Sequence, residues 1–238
     1  RVKAEPVIPV HWGLNKAGMV AQEEVTQKEK LLVQFIWENA MNHALIASKQ
    51  LQEIGLHKQI ANRLLEPFMY VDSVITATEW DNFFKLRLHE DSQPEIQLLA
   101  LKMKEAMDNS IPAKSQVHLP YITYGELNQA SKATTDMFLK LAPLSAARCA
   151  RVSYLNHEGK APNQDKDMET FQKLKSGGHW SPMEHQAIAI TEPEFFVSDC
   201  DYNPITDEVS DVFAEVVEPN EIRCRNFIGW QQFRDFHD

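Results

Sequence analysis

Arg87 closes the run ATEWDNFFKLR (residues 77–87), and DSQPEI (91–96) follows almost at once. Trp80, Phe83, Phe84 and Leu86 give this short segment apolar surface, while Asn82 and Arg87 can point elsewhere. A guanidinium beside an aromatic floor suits a planar anionic ligand, because its rigid fork binds oxygens and its charge does not titrate away. The plainer structural reading is a helix-end arginine that satisfies its own last carbonyls and the helix dipole. A second set of groups lies in ARCARVSYL (147–155). There Arg148 and Arg151 share a helical face, with Ser153 just beyond; together they suit a phosphate or pyrophosphate, or else form a solvated charged face. Cys149 between the two arginines is either a thiol of lowered pKa or an inert buried cysteine. A third set is HWSPMEH (179–185), after Gly177-Gly178. His179 and His185 lack the His-Glu-x-x-His spacing that puts two imidazoles on one helical face, so no metal site is expected. In structural terms, Ser181 can cap a helix that begins at Pro182.

The elements that must carry these groups are mostly helices. Thr26 and Glu29 make a capping box for a long helix from about Thr26 to Ile54, and Gly55 stands at its expected stop. Its apolar residues, from Leu31 and Phe35 to Leu51, make a face broad enough for a core or a subunit contact. A second helix over about 57–65 must end near Pro67. Residues 68–77 read as a short strand or a buried extended piece. Thr78 with Asp81, and Ser92 with Glu95, are expected to cap the two helices around Arg87. Beyond a connection at 108–122, a helical region spans 123–155 with an interruption at Pro143, and another helix follows near 167–176. The apolar runs at 187–191 and 211–217 suggest strands. The expected fold class is therefore helix-rich α+β in a single domain, with a helical half at 1–122 and a second half at 123–238.

Composition narrows the functional classes. The chain has 238 residues and a formal charge of −10, which argues against a broad nucleic-acid surface. Hydrophobic content of 43% and charged content of 24% are ordinary for a globular protein. Three cysteines without metal-type spacing fit a reducing compartment. No run of 18 apolar residues or signal-peptide pattern occurs, so no membrane association is expected and a cytoplasmic location is.

The stretch from Gly55 to Met107 resembles the nucleotide-binding half of the flavin-dependent thymidylate synthases. The match rests on Arg63 before Pro67, Asn82 before Arg87, the Asn-Phe-Phe-Lys-Leu-Arg ending and Gln93-Pro94-Glu95-Ile96. Ala147, Arg151, Val152 and Ser153 are similar to the family's Ala-Arg-Val-Ser block, and His179 to His185 to its His-x-(Thr/Ser)-Pro-x-Glu-His signature. The resemblance implies conversion of dUMP to dTMP with FAD, NADPH as reductant and methylenetetrahydrofolate as carbon donor, without an enzyme nucleophile on the base. It makes Arg87 catalytic, through negative charge at uracil N3, and Arg63 and Arg87 the dUMP-binding residues. Ser153, His179, Ser181 and Asn82 would contact FAD. The family's homotetramer makes the long helix an interface candidate.

Two departures accompany the resemblance. The Arg-Val-Ser and Ser-Pro-x-Glu-His blocks follow the arginine-bearing helix, an order similar to that of virus-type members, which implies a host-cell cytoplasm. The family's arginine–histidine–arginine signature does not occur in residues 1–238. In the exchanged order it falls upstream of Arg1, so an N-terminally incomplete domain is expected. The alternative functions are a nucleotide- or flavin-binding paralogue without catalysis, an inactive fragment, and a cysteine-nucleophile synthase built on Cys149.

Overall fold

The computed structural model describes residues 2–17, 21, 23–130, 133–152, 162–192, 194–197, 202–203, 208–209 and 214–237. Of 202–203, 208–209 and 214–216 only the backbone is described, as it is for 194–197. The chain divides into two compact units, residues 1–71 with 81–111 and residues 72–80 with 112–238.

The first unit is helical. Helix α1 (Gln27–Glu53) starts at the expected capping box: Thr26 Oγ1 accepts from the Glu29 amide, and the Glu29 carboxylate accepts from the Thr26 amide. Gly55, at φ 98°, occupies the left-handed conformation that follows its end. Met41 packs with Val2 and Phe68 into a small core, flanked by Trp37, Ala44, Leu45, Leu65 and Met69. The Trp37 indole meets Phe68 edge-on at 5.3 Å and donates to the Val7 carbonyl at 3.0 Å, which ties down the extended N-terminal segment. The opposite side of α1 stays open: Leu31, Leu32, Phe35 and Ile36 are 58–70% exposed.

After α2 (Lys58–Ala61) the chain tightens into a 3-10 turn over Asn62–Phe68 that accommodates Pro67 inside it, so the second helix ends earlier than its apolar pattern suggests. Helices α3 (Asp81–Arg87) and α4 (Pro94–Asp108) pack on each other. Neither starts at its expected cap. Helix α3 begins three residues after Thr78, whose hydroxyl instead accepts from the Ile228 amide at 2.9 Å. At α4, Pro94 holds the first helical position, which makes Gln93 the N-cap and leaves Ser92 one residue too early.

In the second unit, residues 72–80 run extended without forming a strand, and Ile75 is 61% exposed rather than buried. Helix α5 (Tyr124–Gln129) has its own capping box from Thr123 and Glu126. Helix α6 (Thr134–Cys149) carries Pro143 inside it without a break; the helical region divides around Ala130 instead, where the backbone turns extended. Helix α7 (Gln164–Ser176) starts at Asn163, whose side chain accepts from the Lys166 amide. Strands β1 (Val117–His118), β2 (Ala187–Ala189) and β9 (Trp230–Gln232) form an antiparallel sheet in the order β1-β2-β9, with Val117 opposite Ile188 and Ala187 opposite Gln232. Among the described residues three two-stranded pairs complete the strands: β3 (Glu194–Val197) with β6 (Ala214–Val217), β4 (Tyr202–Asn203) with β5 (Glu208–Val209), and β7 (Arg223–Cys224) with β8 (Phe227–Ile228). The expected strands at 187–191 and 211–217 are thus β2 and β6, and the whole is helix-rich α+β.

Successive turns of α6 place Phe138, Ala142 and Ala146 in the core of this unit, where they meet Phe171, Met183 and Phe233. Phe233 sits edge-on to Phe138 at 5.8 Å. The segment after residue 229 therefore completes the core and the sheet edge.

Candidate functional site

Within the first unit, α3 ends on Arg87, which is exposed and makes no hydrogen bond or ion pair to any described residue. The structural alternative for this arginine, satisfying the carbonyls at its helix end, is met by other side chains. Ser92 Oγ donates to the Leu86 carbonyl at 2.8 Å. Gln97 Nε2 donates to the carbonyls of Leu88 at 3.2 Å and His89 at 3.0 Å. Leu86 O in the last turn and two carbonyls just beyond the helix are thus taken by residues from α4 and its approach, and the guanidinium bonds to none of them. Lys104 Nζ lies 5.8 Å from the centre of the Phe84 ring, adding a second positive charge to the aromatic segment. Asn82 is exposed on the first turn of α3, about 140° around the helix from Arg87. Arg63 is exposed in the 3-10 turn and held only by a 3.5 Å pair with Glu66.

In the second unit, the two glycines at 177–178 end α7 in a Schellman motif. Gly178 adopts φ 67° and donates to Lys175 O, while His179 N reaches back to Leu174 O at 2.9 Å. This sets the exposed His179 imidazole against Gly177, so close that a Cβ there would meet the ring at 2.9 Å. Ser181 follows as the first residue of a 3-10 turn over Ser181–Glu184 whose N-cap is Trp180. Its exposed hydroxyl makes no capping bond, contrary to the expected role as helix cap: the turn begins one residue too soon. His179 and Ser181 are therefore both exposed, one at the end of α7 and the other at the start of the turn that follows. Ser153 lies outside the described residues.

His185 turns inward, its Nδ1 3.1 Å from the Thr76 hydroxyl, and burial pushes its imidazole below the usual histidine range. Thr76 and Thr78 line a cavity of about 350 Å³ with Trp80, Phe227, Trp230 and His118. Burial likewise holds the His118 imidazole below its ordinary value, so both rings are neutral donors or acceptors near pH 7. The aromatic walls of this cavity escaped sequence reasoning, because Trp80 and Trp230 stand 150 residues apart and no local pattern joins them.

The arginine pair at 148–151 is not a phosphate site. Arg148 is 2% exposed and committed on every side. It forms a two-pronged pair with Glu126, at 2.6 and 2.8 Å, donates from Nε to Asp167 at 2.7 Å, and reaches the Tyr121 carbonyl at 2.8 Å. Arg151 pairs with the same fully buried Asp167 and with the Ala147 carbonyl. Helical spacing put both on one face, but that face turns inward onto carboxylates. The signal was available in the surrounding small residues, Ser145, Ala146, Ala147 and Ala150, which let α6 approach its neighbours closely.

Cys149 lies buried beside this network and receives a hydrogen bond from Gln186 Nε2 at 3.5 Å. Burial pushes its thiol up to about 11, the opposite of an activated nucleophile. Cys149→Ala is accordingly expected to leave turnover within about twofold and to cost about 1 kcal/mol of stability through lost packing. Steady-state assay and thermal melting check both, and abolished turnover in a folded variant would restore the cysteine mechanism. Among the described residues no three His, Cys, Asp or Glu side chains are grouped to hold a metal ion, and no helix is long and apolar enough to cross a membrane.

Neither curated proteins nor solved structures provide a match to the chain. A family model does: residues 7–113 match that of the thymidylate synthase complementing protein. The matched stretch contains Arg63, Asn82, Arg87 and the Ser92 and Gln97 side chains that close α3, and it ends before the turn that carries His179 and Ser181. Residues 7–113, a little under half of the chain, are thus similar to the thymidylate synthase complementing protein family, the flavin-dependent thymidylate synthases.

Proposed function

We propose that the protein converts dUMP to dTMP, with Arg87 as the residue that stabilises charge on the uracil ring. The observation that carries this reading is the uncommitted guanidinium at the end of α3, inside the family-matched stretch, with the nearby carbonyls of Leu86, Leu88 and His89 already bonded by Ser92 and Gln97. A fixed cation at uracil N3 lowers the barrier when negative charge develops there, because it is in place before the reaction begins. Arg63, tethered only by its outer pair with Glu66, binds the same anionic nucleotide.

FAD fits the groups that the second unit leaves uncommitted. The His179 imidazole and Ser181 hydroxyl are exposed and serve no cap, so they are donors for a ligand rich in acceptors. The family resemblance adds Ser153 and Asn82 as contacts of the same cofactor. Bound FAD, kept reduced by NADPH, supplies hydride chemistry, with methylenetetrahydrofolate as the carbon donor. No side chain then has to attack the base, which agrees with the inert Cys149. The protein's own contribution is binding, orientation and fixed charge.

The same reading extends to self-association. The exposed row of Leu31, Leu32, Phe35 and Ile36 on α1 is an apolar face of the kind that subunit contacts cover, and the family assembly is a homotetramer.

The reading is tested by absorbance of the purified protein with FAD, followed by dUMP. A flavin band near ~450 nm that shifts on addition of dUMP, together with dTMP formation in the complete reaction, is the expected result. Flavin and dUMP binding without dTMP would instead identify a non-catalytic binding paralogue. Ser181→Ala provides a sharper check. Because this hydroxyl caps nothing, the variant should melt within about 0.5 kcal/mol of the parent while its FAD dissociation constant rises about fivefold to tenfold, the loss of one hydrogen bond. Unchanged FAD affinity would remove Ser181 from the cofactor site.

A further inference from the structure

The C-terminal end of α3 is closed by two side chains that lie outside it, and this arrangement determines what Arg87 is free to do. A helix leaves its last carbonyls without intrahelical partners, and an arginine in the last turn is well placed to fold back onto them. Here that role is taken. Ser92, 8% exposed, donates to Leu86 O at 2.8 Å, and its own amide donates to His89 O at 3.0 Å. Gln97, from the first turn of α4, spans Leu88 O and His89 O with a single amide nitrogen. Leu88 N also donates to Phe84 O at 3.0 Å, and the Asp91 amide to His89 Nδ1 at 3.2 Å.

We propose that Ser92 and Gln97 are positioning residues for Arg87: by occupying Leu86 O in the last turn of α3 and Leu88 O and His89 O just beyond it, they keep the guanidinium extended toward its ligand. The proposal rests on the assignment of Arg87 to the uracil ring. Neither residue touches substrate. Removing either donor exposes an acceptor within a turn of Arg87, and the guanidinium, with five N–H groups, is the nearest strong donor. The cation then spends part of its time on its own helix end, and the fraction of protein ready to bind dUMP falls in proportion.

The test uses Gln97→Met, which keeps the length of the side chain and removes its donors, and Ser92→Ala with Ser92→Thr as the hydroxyl-retaining control. Two quantities are followed: the rate at which phenylglyoxal labels Arg87, located by peptide mass mapping, and kcat/KM for dUMP. Labelling reports the freedom of the guanidinium without reference to ligand or activity, and a purely structural role would leave it unchanged. Gln97→Met and Ser92→Ala are expected to slow labelling of Arg87 several-fold and to lower kcat/KM by about tenfold, within the range that misplaced catalytic groups show. Ser92→Thr should restore both. Should buried Ser92 prove intolerant of replacement, half-buried Gln97 carries the test alone. Unchanged labelling in folded Gln97→Met overturns the proposal. Slowed labelling with normal turnover also overturns it, and in that case it is the role of Arg87 at the uracil ring that has failed.

Discussion

Replacing Arg87 with lysine is expected to lower kcat by about 10²–10³-fold while the protein folds and melts as before. The size follows from the loss of one preorganised donor at a site of developing charge, which costs about 2.7–4 kcal/mol of transition-state stabilisation. Lysine keeps the positive charge, so the experiment isolates geometry. A guanidinium offers a rigid planar fork that matches two acceptors, whereas an ammonium is a compact, strongly hydrated point charge on a flexible stem. Folding should be indifferent to the change, because Arg87 is exposed and bonds to no described residue; surface substitutions of this kind stay within about 0.5 kcal/mol. The division between kinetic constants also matters. If Arg87 acts mainly on the transition state, kcat and kcat/KM fall together; if it only holds dUMP, KM rises and kcat is preserved. Near-normal kcat in a folded Arg87→Lys variant would remove the residue from its catalytic role.

Local rules carried the reading wherever a feature was completed within one turn of chain. The Thr26–Glu29 capping box and the Gly55 stop delimit α1 within a residue of expectation, because donor, acceptor and glycine all lie adjacent in sequence. Gly177-Gly178 likewise ends α7 by a Schellman motif. Ser92 shows where the rule stops. Its spacing to Glu95 satisfies the capping-box pattern, yet Pro94 fixes the helix start one residue later, and the hydroxyl is drawn to an open carbonyl at the end of α3. Pro143 was expected to break a helix, but one buried proline ring is tolerated where α6 packs on both sides. At the candidate site, the residues of the matched stretch were visible because the motif itself is compact. What closes around them was not: the carbonyl cover over α3 depends on how α3 meets α4, and the cavity joins Trp80 to Trp230 across the length of the chain. The inward turn of Arg148 was hidden for the same reason, since its carboxylates stand 22 and 19 residues away.

That buried arginine should be the most sensitive structural position in the second unit. Arg148→Met is expected to destabilise the protein by about 3–5 kcal/mol, because removing one partner leaves charge uncompensated in the interior. Asp167 is fully buried and would keep only Arg151, while Glu126 would lose both of its short bonds and retain the Thr123 capping contacts. The pH dependence distinguishes this account from simple loss of packing. The Arg148 guanidinium, aided by the Thr123 amide, holds the Glu126 carboxyl well below the usual carboxylate range. A group depressed in the folded state contributes stability that is fully present above its unfolded pKa, about 4.3, and is lost as pH falls toward the folded value. The parent should therefore melt at progressively lower temperature below about pH 4.5, and Arg148→Met should show a shallower acid decline because less of the Glu126 shift remains to be lost. Thermal melts from pH 3 to pH 7 on both proteins measure the two slopes. Parallel curves would mean that the ion pair contributes no pH-linked stability, and a melting temperature equal to the parent's at pH 7 would mean that the buried network is not what holds α6 to α5 and α7.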